Sequence, residues 1–156
     1  MKTVVIFFLT LFFYNANCQD FRNVNWGDSP DEVKRKESAG LLKETPNSAK
    51  GVENLTYVEF TQSDLYYTYT YVFHENKLIG VRIKTAFLNE NSKFKAMNSY
   101  TEIYGAYQAK YENVKEEKKS NDEFKSFNVT LKDKKIYVGV KKENNEFFLT
   151  ESIFKN

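Results

Sequence analysis

Histidine, cysteine and paired carboxylates are the side chains through which small proteins most often do chemistry, and this sequence is poor in all three. His74 is the only histidine among 156 residues. It ends a strand-like run beside a turn, with no evident nucleophile or orienting partner nearby, so a solvent-facing residue explains it better than a general base. Cys18 is the only cysteine, and it falls at the end of a segment that reads as an export signal. A thiol nucleophile and a Cys-based zinc site are thereby excluded, and one histidine would leave a zinc site resting on carboxylates almost alone. Asp31-Glu32, Glu116-Glu117 and Asp122-Glu123 are sequence neighbours; adjacent helical positions do not face each other, so spacing sets no carboxylate pair. A glycosidase-type pair drawn from distant residues stays open. No catalytic residue, metal or cofactor is assigned.

Aromatic surface is what the sequence has in excess. Tyr and Phe number 11 and 14, and aromatic residues make up 17% of the chain. In the run from Leu65 to Phe73, a period of two places Leu65, Tyr67, Tyr69, Tyr71 and Phe73 on one face, with Tyr66, Thr68, Thr70 and Val72 on the other. Beneath helices the first set would be core; facing solvent it would be a flat strip of the kind enriched at protein interfaces. Trp26 has the same two readings, a plug over the core beside Gly27 or a binding anchor. Trp26, Tyr67, Tyr69 and Tyr71 are the candidate partner-binding residues.

The elements that must position them are legible in order. Ser29-Pro30-Asp31-Glu32 combines an N-cap serine, proline at the first helical position and a glutamate able to return to the cap amide. This predicts a helix from Pro30 to Ala39, stopped by Gly40. Leu41 to Glu53 reads as a loop with Pro46, Asn47, Ser48 and Gly51 as turn residues. Leu55–Thr61, Leu65–His74 and Leu78–Ala86 read as strands joined tightly at Gln62-Ser63-Asp64 and Glu75-Asn76-Lys77, an antiparallel meander. Asn91 or Ser92 caps a second helix, in which Phe94, Met97, Tyr100 or Thr101, and Tyr104 recur at helical spacing before Gly105. Tyr107, Tyr111 and Val114 extend that stripe or belong to an outer strand, and Glu112 to Glu123 is a solvated, mixed-charge stretch. Three strands follow, around Phe127, Val129 and Leu131, then Ile136, Val138 and Val140, then Phe147, Leu149 and Ile153. Lys132-Asp133-Lys134 and Asn144-Asn145 make their turns. The expected fold is α+β: one antiparallel sheet built from two helix-plus-meander halves, about residues 19–88 and 89–156, with both helices on one face.

Residues 1–18 read as a cleaved signal. Lys2 supplies a positive start, Val4 to Tyr14 are apolar apart from Thr10, and Ala16 and Cys18 suit a cut before Gln19. The apolar run is too short to cross ~30 Å of hydrocarbon. Acylation of Cys18 is the alternative and would make the protein a membrane-anchored lipoprotein. What remains is a domain without disulfides, periplasmic or secreted, that must hold itself together by packing. With 23 Lys+Arg against 21 Asp+Glu, interspersed along the chain, there is no electrostatic footprint for nucleic acid. Asn54-Leu55-Thr56 and Asn128-Val129-Thr130 match the glycosylation pattern but fall within predicted strands, and are read as unmodified.

Phe21-x-x-Val24-x-Trp26-Gly27-x-Ser29-x-x-Glu32-Val33, with the later Tyr104-Gly105, resembles the opening and second helix of a group of small exported bacterial proteins, many of them lipoproteins. The Gly-x-Ser-x-x-Glu-Val part followed by a meander is more distantly similar to the helix-plus-sheet repeat of β-lactamase inhibitory protein and of the small lipoprotein of the outer-membrane assembly machinery. That resemblance implies proteins that bind other proteins and catalyse nothing. The expected function is therefore an exported, non-enzymatic binding module acting through a sheet face or aromatic strip on a protein or envelope partner. A cell-envelope hydrolase using distant carboxylates is the alternative.

Overall fold

The computed structural model describes residues 21–45, 51–61, 65–87, 91–118, 124–143 and 146–156. The export segment with Cys18, the Pro46-Asn47-Ser48 loop, the Gln62–Asp64 turn, Asp122-Glu123 and the Asn144-Asn145 turn lie outside them. Helix α1, Pro30–Lys36, begins as its residues dictate. The Ser29 hydroxyl accepts from the Glu32 amide at 3.4 Å, while the Glu32 carboxylate accepts from the Ser29 amide at 2.8 Å. Asp31 and Glu32 occupy the positive end of the helix and Lys34, Arg35 and Lys36 the negative end. The helix ends before the expected Ala39, because Glu37 leaves helical geometry (φ −77°, ψ 129°) and turns its carboxylate inward.

Eight strands follow in the order β1 Gly40–Thr45, β2 Val52–Phe60, β3 Leu65–His74, β4 Lys77–Phe87, then, after helix α2 Ser92–Lys110, β5 Lys115–Lys118, β6 Phe124–Thr130, β7 Lys134–Glu143 and β8 Glu146–Lys155. They form one antiparallel sheet, β1-β2-β3-β4-β8-β7-β6-β5. Each helix thus precedes a four-strand meander, and the two meanders join where β4 pairs with β8. This is the expected α+β architecture.

Three further local expectations are corrected. Residues 40–45 are not loop but an edge strand, despite lacking alternation; pairing with β2 supplies the order, and a register shift between Leu41 and Lys43 marks the irregularity. Gly105 does not stop the second helix. Its Cα faces open space, and two residues later Tyr107 is buried in the core, so docking outweighs a glycine cost of ~1 kcal/mol. The buried stripe is Ala96, Tyr100 and Tyr107, with Met97, Ile103 and Tyr104 beside it. Phe94, expected on that stripe, is 68% exposed.

Register shows that both helices sit on one face. Val33 of α1 packs with Leu55, Tyr57, Tyr69, Tyr71, Phe73 and Val81. Helix α2 packs on β8, β7 and β4, where Phe127, Val129, Ile136, Val138, Val140 and Leu149 form its floor. The opposite face carries no helix among the described residues.

Candidate functional site

The tyrosine ladder runs from core to cleft. Tyr71 is fully buried and Tyr69 nearly so, under α1 and the lead-in turn, whose Phe21 ring lies 5.7 Å from Tyr69 and 6.1 Å from Tyr71. Tyr67, stacked on Tyr69 at 6.1 Å, is half-buried and lines a cleft beside α2. Trp26 is half-exposed against the α1 core. Beside it Gly27 (φ +90°) donates to the Leu78 carbonyl at 3.0 Å, and the Leu78 amide donates to Asp28 at 2.9 Å. His74 is exposed and precedes a two-residue turn, Glu75-Asn76, with φ of 50° and 63°, the geometry that suits a tight hairpin.

The hydroxyls of Tyr69 and Tyr71 are held internally by an ionic network. Arg22 sits in a tight turn closed by Phe21 and Val24, with φ +48° followed by +66° at Asn23. Its guanidinium meets the Glu37 carboxylate at 3.1 Å and Glu59 at 2.7 Å, and lies 4.4 Å from the Tyr69 ring centre. Tyr71 donates to Glu37, the Ala39 amide donates to it at 2.8 Å, and Tyr69 donates to Glu59 at 3.1 Å. Burial acts to raise the Glu37 carboxyl, but the hydrogen bonds from Tyr71, Ala39 and Arg22 outweigh it and hold the group below its ordinary range. A carboxylate fixed as an anion in this way is a poor proton donor. Tyr57, edge-on to Tyr71 at 5.7 Å, has the one buried side-chain polar atom without a hydrogen-bond partner among the described residues.

Between α2 and strands β3, β4 and β8 lies a cleft of about 290 Å³. Leu65, Tyr67, Phe87, Ile103 and Leu149 make its apolar walls; Lys95, Asn98, Ser99 and Glu102 lie at its rim. One register row along the sheet, Glu151 stands between Ile83 and Val138 and accepts from the Tyr107 hydroxyl at 3.1 Å. Burial pushes this carboxyl above its ordinary range, only partly countered by Tyr107. The folded state therefore binds this proton more tightly than the unfolded state does. Its contribution to stability is present below the ordinary carboxylate pKa and lost as pH rises through the folded value. Glu151→Gln keeps an acceptor for Tyr107 and removes the ionisation. It is expected to stabilise the protein by about 1 kcal/mol at pH 8, with a smaller difference at pH 4, both read from urea midpoints. A less stable variant at pH 8 would show that the charge is accommodated.

The uncovered face is built differently. Reading across the strands, one row runs Thr56, Thr70, Arg82, Ser152, Tyr137 and Asn128, and the next runs Thr68, Lys84, Thr150, Gly139 and Ser126. Aromatic rows flank them: Phe60, Tyr66 and Phe148 on one side, Phe154 on the other. Small residues let rings lie flat there. A Cβ added at Gly80 would come within 2.3 Å of the Phe154 ring. Lys84 is fastened, its Nζ 2.6 Å from Glu143 and 3.7 Å from the Phe148 ring centre. Arg82, in the middle of the face, is exposed and has no partner among the described residues.

Sequence reasoning passed over Arg22, Glu37, Arg82, Gly80 and Phe154. Only the last three had a readable signal, since alternation already places Arg82 on the Thr68/Thr70 side. Among the described residues no group of three or more His, Cys, Asp or Glu side chains is placed to hold a metal ion. No helix of the described residues is long and apolar enough to cross a membrane. No protein-family model, curated protein or solved structure matches this chain.

Proposed function

We propose that this chain is an exported, non-enzymatic binding module that engages a protein or envelope partner through the sheet face opposite its helices. The observation that carries the reading is a sheet face that no helix covers among the described residues. Both helices dock on one side, and the other presents hydroxyl rows with Phe60 and Tyr66 along one flank and Phe154 on the other. Tyr69 and Tyr71 are engaged internally, so the aromatic contacts of this reading move to Phe60, Tyr66, Tyr137 and Phe154, with Phe148 buried beneath Lys84. Tyr67 and Trp26 keep partial exposure on the helix side.

The chemistry of the carboxylates supports the non-enzymatic part. Glu37 and Glu59 are tied to Arg22, Glu151 has Tyr107, and the cleft beside α2 presents Glu102 as its one carboxylate among the described residues. A hydrolase would need two carboxyls converging on a substrate. Export rests on residues 1–18 and on the resemblance of the Phe21–Val33 segment; retention of an acylated Cys18 is the variant of the same reading.

A photo-crosslinking residue placed at Thr70 or Ser152 is expected to trap a partner in native envelope extract, while one at Gln108, exposed on α2, traps none. Trapping from Gln108 alone would sink the reading. Intact mass of the exported protein is expected to begin at Gln19; a diacylglyceryl mass on Cys18 would establish the anchored variant.

A further inference from the structure

We infer that the uncovered sheet face recognises an acidic protein surface, with Arg82 as its central contact. This rests on the binding reading above and adds the chemistry of the partner. The charge left over on the face is positive. Among the described residues its three carboxylates, Glu117, Glu143 and Glu146, face six cations, Lys43, Arg82, Lys84, Lys115, Lys135 and Lys141; Glu143 pairs with Lys84 and Lys141, Glu117 accepts from the Asn128 amide at 3.2 Å, and Glu146 is exposed at the edge of the face. Lys43, Arg82, Lys115 and Lys135, which register places on this face, are exposed and have no partner among the described residues. Nearly equal numbers of Lys+Arg and Asp+Glu in the whole chain, 23 and 21, make this local excess a property of the face and not of the composition. Arg82 offers five donors in a planar fork with nothing among the described residues to receive them.

Size and texture point to a protein and not to a polyanionic chain or a lipid surface. Eight strands ~4.8 Å apart, each some ~9 residues at ~3.3 Å, project a face on the order of 1,000 Å². A standard protein interface takes about 800 Å² from each partner. The free cations lie on separate strands, with hydroxyls and aromatic rings between them. That is the mixed polar and apolar pattern of protein interfaces, whereas a phosphate or sulfate polymer needs a continuous cationic track. Lys84 held down on Phe148, and Phe154 lying over Gly80, keep the surface flat for an opposing surface.

The test is a residue-resolved NMR titration of the isotopically labelled exported protein with poly-L-glutamate. Dextran sulfate and phosphatidylglycerol-containing vesicles form parallel arms. Poly-L-glutamate is expected to shift the Arg82 side-chain Nε–H and the Thr70 and Ser152 amides. The apparent affinity should fall at least about tenfold in Arg82→Glu, while Arg82→Lys retains most of it. Arg82 is exposed, so both variants should melt with wild type. Shifts confined to the helix side, an affinity unchanged in Arg82→Glu, or tighter binding of dextran sulfate or vesicles than of poly-L-glutamate would each overturn the inference. If crosslinking from Ser152 persists in Arg82→Glu at high salt, the face binds a partner by other chemistry and this inference alone fails. If crosslinking from the face is absent altogether, the binding reading fails with it.

Discussion

Replacing Glu37 with alanine is expected to cost about 3–5 kcal/mol of folding free energy, because it breaks a buried ion pair from one side. The Glu37 side chain is 0% exposed and that of Arg22 20%. Alanine would leave the Arg22 guanidinium with Glu59 and the Tyr69 hydroxyl only, the Tyr71 hydroxyl without its acceptor and the Ala39 amide unpaired. Each of those groups then carries a desolvation penalty that its partner no longer cancels. Removing both charges is a different experiment: in Arg22→Met combined with Glu37→Leu, at least half of the loss should return, since two apolar side chains leave no stranded ion. Glu44→Ala supplies the contrast. Its pair with Lys34 is 32% and 44% exposed, and its loss should cost at most about 1 kcal/mol. Chemical denaturation of the four proteins checks all of this. A Glu37→Ala cost as small as that of Glu44→Ala would mean that the network does not hold α1 to the sheet.

The pH dependence has a defined sign. The folded-state pKa of Glu37 lies below its unfolded value, so the stability it contributes is present above the ordinary carboxylate range and is lost as pH falls through the folded pKa. The gap between wild type and Glu37→Gln should therefore be full at pH 7 and narrow below about pH 4. Glu151 works in the opposite direction over the acidic range. Part of the acid sensitivity caused by Glu37 is thus masked in the wild-type protein and should emerge in Glu151→Gln.

Phe127→Ala should cost about 3–5 kcal/mol by a different mechanism, the opening of a cavity under α2. Phe127 is 1% exposed, and its ring lies 5.8, 5.3 and 5.2 Å from those of Tyr100, Tyr104 and Tyr107. These three residues span the middle of α2, so truncation removes the common contact of the helix with β6. Besides a lower melting temperature, amide exchange should show α2 losing protection before the β3–β4 hairpin does. Phe60→Ala, at a ring 71% exposed, should change stability by no more than about 0.5 kcal/mol. Comparable losses for Phe60 and Phe127 would place the support of α2 elsewhere.

Much of this protein was determined locally. The Ser29–Glu32 capping box opened its helix because all its partners lie within one turn. Leu65–His74 formed its strand with the alternation its residues showed, and the two-residue turn after His74 followed from Glu75 and Asn76. The order of helix, meander, helix, meander was likewise readable, since each segment carries its own period and its own stops.

What only the tertiary structure decided was every choice between equivalent surfaces. Alternation separated Tyr67, Tyr69 and Tyr71 from Thr68 and Thr70, yet both sets suit a half-buried strand. Docking of Phe21, Arg22 and Val33 turned Tyr69 and Tyr71 into core and left the threonines outside. Arg22 and Glu37 look like surface residues in the sequence; their pairing across 15 positions exists because a tight turn and a truncated helix meet over β3. Gly105 would end an isolated helix, but the buried Tyr107 carried α2 past it. The side chains that could do chemistry are therefore few for a local reason, their scarcity in the sequence. That Glu37 and Glu151 are bound inward while Arg82 has no partner among the described residues is a consequence of which face the helices cover.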